Sequence, residues 1–226
     1  MHMTTGKSSL LYVAQPPQMD QHGKAPALVL LHGRGADEND LMGLAQYFDE
    51  RLFIISVRAP YPWMHGQGFT WFDIEDIGSP DPAMFAESYA RLINFLHEAP
   101  KLFPIDHARL NLCGFSMGAM MSYVAALAEP ELVNGVMALS GLIPESTIKP
   151  GYNWEKVVKK SFFIAHGVHD SVIPVSFGRR AKELLTDAKA IVTYREYDMD
   201  HQISEETLND MTKWVTNLLD GKRIMS

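Results

Sequence analysis

Residues 110–121 read LNLCGFSMGAMM, and this stretch decides the fold. An apolar run enters Gly114-Phe115-Ser116-Met117-Gly118 and leaves as small, helix-forming residues. The pattern predicts a strand over 109–114, a sharp corner at Ser116 and a helix over 117–128. Glycines two positions either side of the serine let strand and helix pass closely. Ser116 would then sit in strained backbone with its hydroxyl exposed at the helix N-terminus. There the Met117 N–H and the helix dipole face any anion that forms. The pentapeptide G-x-S-x-G alone is common, and the strand–corner–helix setting is what gives it weight. The competing reading is a structural glycine turn holding an incidental serine.

The same alternation of strand and helix runs outward from this corner. ALVLLH (27–32), LFIISV (52–57), NGVMALS (134–140), FFIAH (162–166) and IVTYREY (191–197) are predicted strands. The continuous apolar run ALVLLH suits a strand buried on both faces, whereas IVTYREY alternates like a strand nearer the edge. Predicted helices fall at 38–49, with Asp37 as N-cap, and at 82–97, 175–187 and 205–219. A short helix is expected before about residue 158. In the last long helix Leu208, Met211, Val215 and Leu218 are predicted to face the core. LLYVAQ (10–15) is expected as an antiparallel edge strand. Residues 59–80, rich in Gly, Pro and aromatics, read as a long loop of the kind that carries function. Together these predict one α/β domain over residues 1–226, a mostly parallel sheet with helices on both faces. Ligands of such sheets bind outside the carboxyl ends of the strands.

Composition narrows the function classes. The 226 residues are 46% hydrophobic and 21% charged, and the net charge is -7. No basic stripe is available to neutralise phosphates, which argues against a nucleic-acid or anionic-membrane binder. One cysteine, Cys113, excludes a disulfide framework. It reads as a small hydrophobe within its strand. The start carries no secretory pattern, and no stretch approaches the roughly 20 apolar residues of a membrane span. A cytoplasmic location is expected. The nine histidines show no metal-like pairing on a helix, so no metal is expected. His2, His22, His65, His97 and His107 read as surface residues.

A serine needs a base within hydrogen-bond reach and a group that orients the base. Asp170 follows the strand at 162–166, and His201 follows the strand at 191–197. The order Ser116, Asp170, His201 is the Ser…Asp…His order of α/β-hydrolases, each member after a strand. His166 and His169 compete as bases but precede the acid. Asp200 competes as the acid, but adjacency to His201 leaves the two side chains poorly placed to meet. A tetrahedral oxyanion needs a second donor beside Met117. Leu31-His32-Gly33-Arg34-Gly35 fits, with the Arg34 N–H as donor and His32 shaping the loop. A phosphate-binding glycine loop lacks its lysine or acidic partner here. The apolar candidates for a substrate wall are Trp71, Leu142, Ile143, Val172 and Ile173, and core packing competes for each. The Arg34 side chain reads either as solvated or as a partner for an acidic substrate.

With these pieces placed, the chain resembles the phospholipase/carboxylesterase family of α/β-hydrolases over about residues 25–220. LHGRGADENDL (31–41), TWFDI (70–74), GFSMGAMMS (114–122) and HGVHDSVIP (166–174) are similar to that family's segments. Asp200 stands where the family usually has glycine. The resemblance implies Ser116, Asp170 and His201 as triad and the Arg34 and Met117 N–H groups as oxyanion donors. It also implies a minimal lid, no cofactor, and short to medium acyl esters or thioesters as substrates. An acyl-protein thioesterase or lysophospholipase is the neighbouring alternative. A non-catalytic protein of this fold that binds a ligand or partner is the alternative of another class. Small members of the fold often pair, so a homodimer is compatible with the sequence.

Overall fold

The computed structural model describes residues 3–19, 22–145 and 151–222. Eight strands form the main sheet: β1 (Thr4–Lys7), β2 (Leu11–Gln15), β3 (Ala25–Leu31), β4 (Phe53–Val57), β5 (Ile105–Phe115), β6 (Gly135–Leu139), β7 (Ser161–Gly167) and β8 (Ile191–Tyr197). Their spatial order is β1-β2-β4-β3-β5-β6-β7-β8. β1 and β2 run antiparallel to their neighbours, and the other pairings are parallel. The chain therefore moves one way from β3 to β4 and the other way from β5 to β8. The switch point lies between β3 and β5, the place where open α/β sheets leave a crevice.

Four α-helices cover the sheet: α1 (Pro82–Leu102), α2 (Met117–Ala128), α3 (Val175–Asp187) and α4 (Glu205–Leu219). Successive strand residues feed two apolar clusters, as the period of two requires. Ala27, Val29 and Leu31 pack toward α1, α2 and α3 with Phe85, Leu92, Tyr123 and Leu185. Leu28 and Leu30 pack toward α4 with Met211, Trp214 and Val215. α2 is buried along its whole length, which explains why its sequence is apolar all round.

The elements differ from the sequence expectation at definite places. The 38–49 helix is a 3-10 helix over Leu41–Tyr47 only. Asp37 Oδ1 accepts from Asn39 N, making a local turn rather than an α-helical cap. Glu38 is buried and takes both Arg58 Nε and Nη2, so it serves a long-range ion pair at the start of this segment. LLYVAQ lies one place inside the edge, because β1 pairs outside it. α1 runs five residues beyond its expected end and contains Pro100. On α4, Thr207 and Trp214 join Met211 and Val215 in the core, while Leu208 and Leu218 are partly buried. The short helix expected before 158 is a 3-10 turn over Trp154–Val157, and residues 146–150 of that stretch lie outside the described residues. The 59–80 segment is not open loop. It folds into two small hairpins, Tyr61–Pro62 with Phe69–Thr70 and Ile74–Asp76 with Ser79–Pro80. His22, His65, His97 and His107 are exposed, and His2 lies outside the described residues. No helix among the described residues is long and apolar enough to cross a membrane.

Candidate active site

The corner after β5 is built by close backbone contact. Ser116 has φ 55 and ψ -117, a left-handed conformation that costs a non-glycine residue roughly 1–3 kcal/mol. A Cβ on Gly114 would lie 2.2 Å from Gly118 O, and a Cβ on Gly118 would lie 1.9 Å from Leu31 O. Only glycine fits either place. The Ser116 carbonyl accepts from Ala119 N and Met120 N, which starts α2 directly at the serine. Ser116 N donates to Leu139 O, tying the corner to β6. The serine hydroxyl bonds to no described residue, and the residue lines a cavity.

Asp170 follows β7 and His201 follows β8, so adjacent parallel strands deliver both to the same edge. His201 Nδ1–H donates to Asp170 Oδ2 at 2.8 Å. Asp170 Oδ1 accepts from Val172 N at 3.0 Å and Ile173 N at 2.8 Å. The carboxylate side chain is fully buried, so these donors replace its water. An ionised carboxylate only accepts, which assigns the Nδ1 proton and leaves Nε2 as a lone-pair acceptor. The His201 ring packs 4.8 Å from the Phe115 ring, beside the residue that precedes Ser116.

The competing groups are placed otherwise. His169 Nε2 pairs with Asp198 in solvent. His166 is fully buried, and its Nε2–H donates to Ile173 O at 2.8 Å. Burial holds its pKa below the usual histidine range, against the Ile173 carbonyl and Asp170. Its role in the structure is to hold the loop that carries Asp170. Asp200 Oδ1 accepts from Ser171 N and His201 N, both at 2.8 Å, and Ser171 Oγ also donates to it at 3.0 Å. Asp200 thus ties the Asp170 loop to the His201 loop through backbone groups and never meets the imidazole. Those hydrogen bonds, Ser171's first, hold its pKa below the usual range. Cys113 is buried, which pushes its thiol up to about 12. A thiolate there is excluded at neutral pH.

The loop after β3 is pinned from three sides. His32 Nδ1–H donates to Gly33 O, and its Nε2 accepts from Ala59 N. Burial keeps this ring below the usual histidine range, hence neutral, with its tautomer fixed by both partners. Trp71 Nε1 donates to His32 O at 3.0 Å. Gly35 N donates to Phe69 O, and Phe69 N donates to Ala36 O, a strand-like bridge. A Cβ on Gly33 would lie 3.4 Å from Ser116 Cβ, so the loop passes directly over the serine. The N–H groups of Arg34 and Met117 donate to no described residue. Both belong to residues that line the same cavity as Ser116, one after β3 and one after β5.

A cavity of about 80 Å³ opens beside Ser116. Leu142, Val172 and Ile173 line it, together with Arg34 and Met117. Trp71 and Ile143 do not. Trp71 has no exposed surface, because its indole is spent holding the His32 loop, and Ile143 packs into the core. Ile74, Ile77, Gly78 and Met120 complete the lining and carry no separate signal in the sequence. Two larger surface clefts of about 540 Å³ lie elsewhere, beside Arg51 and beside Arg179, away from this chemistry.

Strand order, elbow and flanking loops define an enzyme of the α/β-hydrolase fold. The sequence model of the phospholipase/carboxylesterase family matches residues 18–219, and the chain belongs to that family. It is 28% identical to an acyl-protein thioesterase 1 of Candida albicans over 218 residues, covering 86% of this chain and 92% of the relative. Carboxylesterase SOBER1 of Arabidopsis thaliana is 22% identical over 157 residues, covering 67% of this chain and 69% of the relative. Among solved structures, a Bacillus cereus carboxylesterase superposes with a TM-score of 0.81 at 25% identity, covering 92% of this chain and 94% of the other.

Proposed function

We propose that this hydrolase is a serine carboxylesterase acting on short- to medium-chain acyl esters through Ser116, His201 and Asp170. One observation carries the reading: the 2.8 Å His201–Asp170 contact beside an elbow serine whose hydroxyl is unclaimed. His201 Nε2 takes the Ser116 proton as Oγ attacks the ester carbonyl. Asp170 holds the imidazole tautomer and stabilises the imidazolium. The Arg34 and Met117 amides receive the oxyanion. Collapse breaks the bond to the alcohol, which leaves with the proton from His201. Water then attacks the acyl-enzyme, with His201 again as base, and releases the acid and Ser116.

The cavity supports the short end of the acyl range, since about 80 Å³ is well below the roughly 300 Å³ at which pockets for drug-sized ligands begin. The relatives' names favour a second reading, a thioesterase on the same triad. A chain-length series of paired oxygen and sulfur esters separates the two. We read residues 1–226 as a single domain, because one sheet carries both apolar clusters.

The test is hydrolysis of p-nitrophenyl acetate by the parent and by Ser116→Ala. The variant is expected to lose about 10⁴-fold or more in kcat. Equal rates would refute the scheme. A protein that only binds ligand in this fold would leave both inactive.

A further inference from the structure

The cavity beside Ser116 holds a single charged residue, Arg34. Ser116 is the only other lining residue with a polar side chain, and the rest of the wall is apolar. The guanidinium stacks over Trp63, its carbon 4.6 Å from the ring centroid. Its Nε is buried and has no hydrogen-bond partner. Among the described residues no carboxylate makes an ion pair with it within 4.0 Å, while Arg51, Arg58, Arg91, Arg109, Arg179 and Arg180 all have one. Burial lowers its pKa, and Asp73, the residue before Ile74 of the wall, partly offsets that. The cation is therefore half-buried against Trp63, with its Nε shut off from solvent and no ion-pair partner among the described residues.

A buried guanidinium N–H without an acceptor is costly, and a bound anion removes that cost. Stacking on Trp63 fixes the plane of the guanidinium, and a planar fork matches a carboxylate. We propose that the Arg34 side chain selects substrates whose acyl half carries a carboxylate a few atoms from the scissile carbonyl. The preferred substrates are then monoesters of short dicarboxylic acids. This rests on the esterase reading and narrows its substrate class. The acyl side is favoured because the Arg34 backbone amide faces the acyl carbonyl oxygen, so the side chain starts beside that carbonyl. The small cavity keeps the two charges of the pair, cation and carboxylate, close to Ser116.

The test compares ethyl hydrogen succinate with ethyl levulinate, in which a methyl ketone replaces the carboxylate at nearly equal size. Acid release is followed by pH-stat with the parent, Arg34→Gln and Arg34→Lys. The parent is expected to favour the succinate ester by about 10- to 100-fold in kcat/KM, the range of charged hydrogen bonds. Arg34→Gln abolishes that ratio, whatever happens to the levulinate rate, and Arg34→Lys keeps part of it. A parent without preference, or an Arg34→Gln protein that retains it, overturns the proposal. Calorimetric binding of the succinate monoester to Ser116→Ala and to Ser116→Ala/Arg34→Gln gives a readout free of turnover. Binding to the first and not the second supports the anion site even if the parent hydrolyses neither ester, an outcome that sinks only the esterase reading. Ser116-dependent levulinate turnover without succinate preference sinks only the anion site.

Discussion

Gly118→Ala tests the packing that creates the elbow. The new Cβ would lie 1.9 Å from Leu31 O and 2.8 Å from His32 O, whereas real Cβ contacts stay above 3.0 Å. The obstacles are backbone atoms at the end of β3, so no side-chain rotation relieves them. α2 and β3 must separate by at least about 1.1 Å, the shortfall against that limit. Met117 opens α2 and Arg34 follows β3, so the separation spreads their two amides. A misplacement of about 1 Å costs about 10²-fold in rate. Overpacking adds a stability loss of about 1–3 kcal/mol. The assay is kcat/KM on p-nitrophenyl acetate together with a urea midpoint. Gly43→Ala is the control, since a Cβ there meets nothing within 4 Å. A Gly118→Ala protein with parental kcat/KM and parental midpoint would refute the steric account of the corner.

Three further outcomes follow from the site. Asp170→Asn keeps an acceptor for the Val172 and Ile173 amides but offers an amide N–H to His201, reversing the tautomer; kcat should fall about 10³–10⁴-fold with the fold intact by circular dichroism. Asp200→Gly removes the tie between the Ser171 and His201 loops, and kcat should fall roughly tenfold with partial recovery in Asp200→Asn. An unchanged kcat would make that tie irrelevant to catalysis. Stability should also depend on pH through His32 and His166, whose folded pKa values lie below the 6.5 of the free side chain. Between those values the unfolded chain binds more protons, so stability is complete above 6.5 and falls as pH drops toward the folded values. Urea midpoints at pH 7.5 and 5.5 check the sign, and His166→Asn should flatten the slope.

Local burial patterns made much of the fold legible. α2, α3, α4 and β8 coincide with their expected spans because each carries its own periodicity. The 38–49 segment carries a helical pattern but forms only a 3-10 helix, and its Glu38 is taken by Arg58 in a tertiary pair that no local pattern reveals. The 59–80 hairpins have strands of two or three residues and are held by long-range bonds such as Gly35 N–Phe69 O. They leave no period to detect. For the candidate site, the positions of Ser116, Asp170 and His201 after strand ends were legible, since parallel strands share a carboxyl edge. The wall was less so: Met120 reads as helix core, and Trp71 gives no sign that its indole holds a loop carbonyl. The Asp200 bond to Ser171 joins loops that are 29 residues apart and depends on tertiary geometry alone.

The central claim is that His201, oriented by Asp170, makes Ser116 a nucleophile. Fluorophosphonate labelling followed by peptide mass spectrometry tests it most directly. One adduct is predicted, on the Ser116 peptide of the parent, with labelling slowed in His201→Ala. An unlabelled Ser116 in folded parent protein, or labelling as fast without His201, would contradict it.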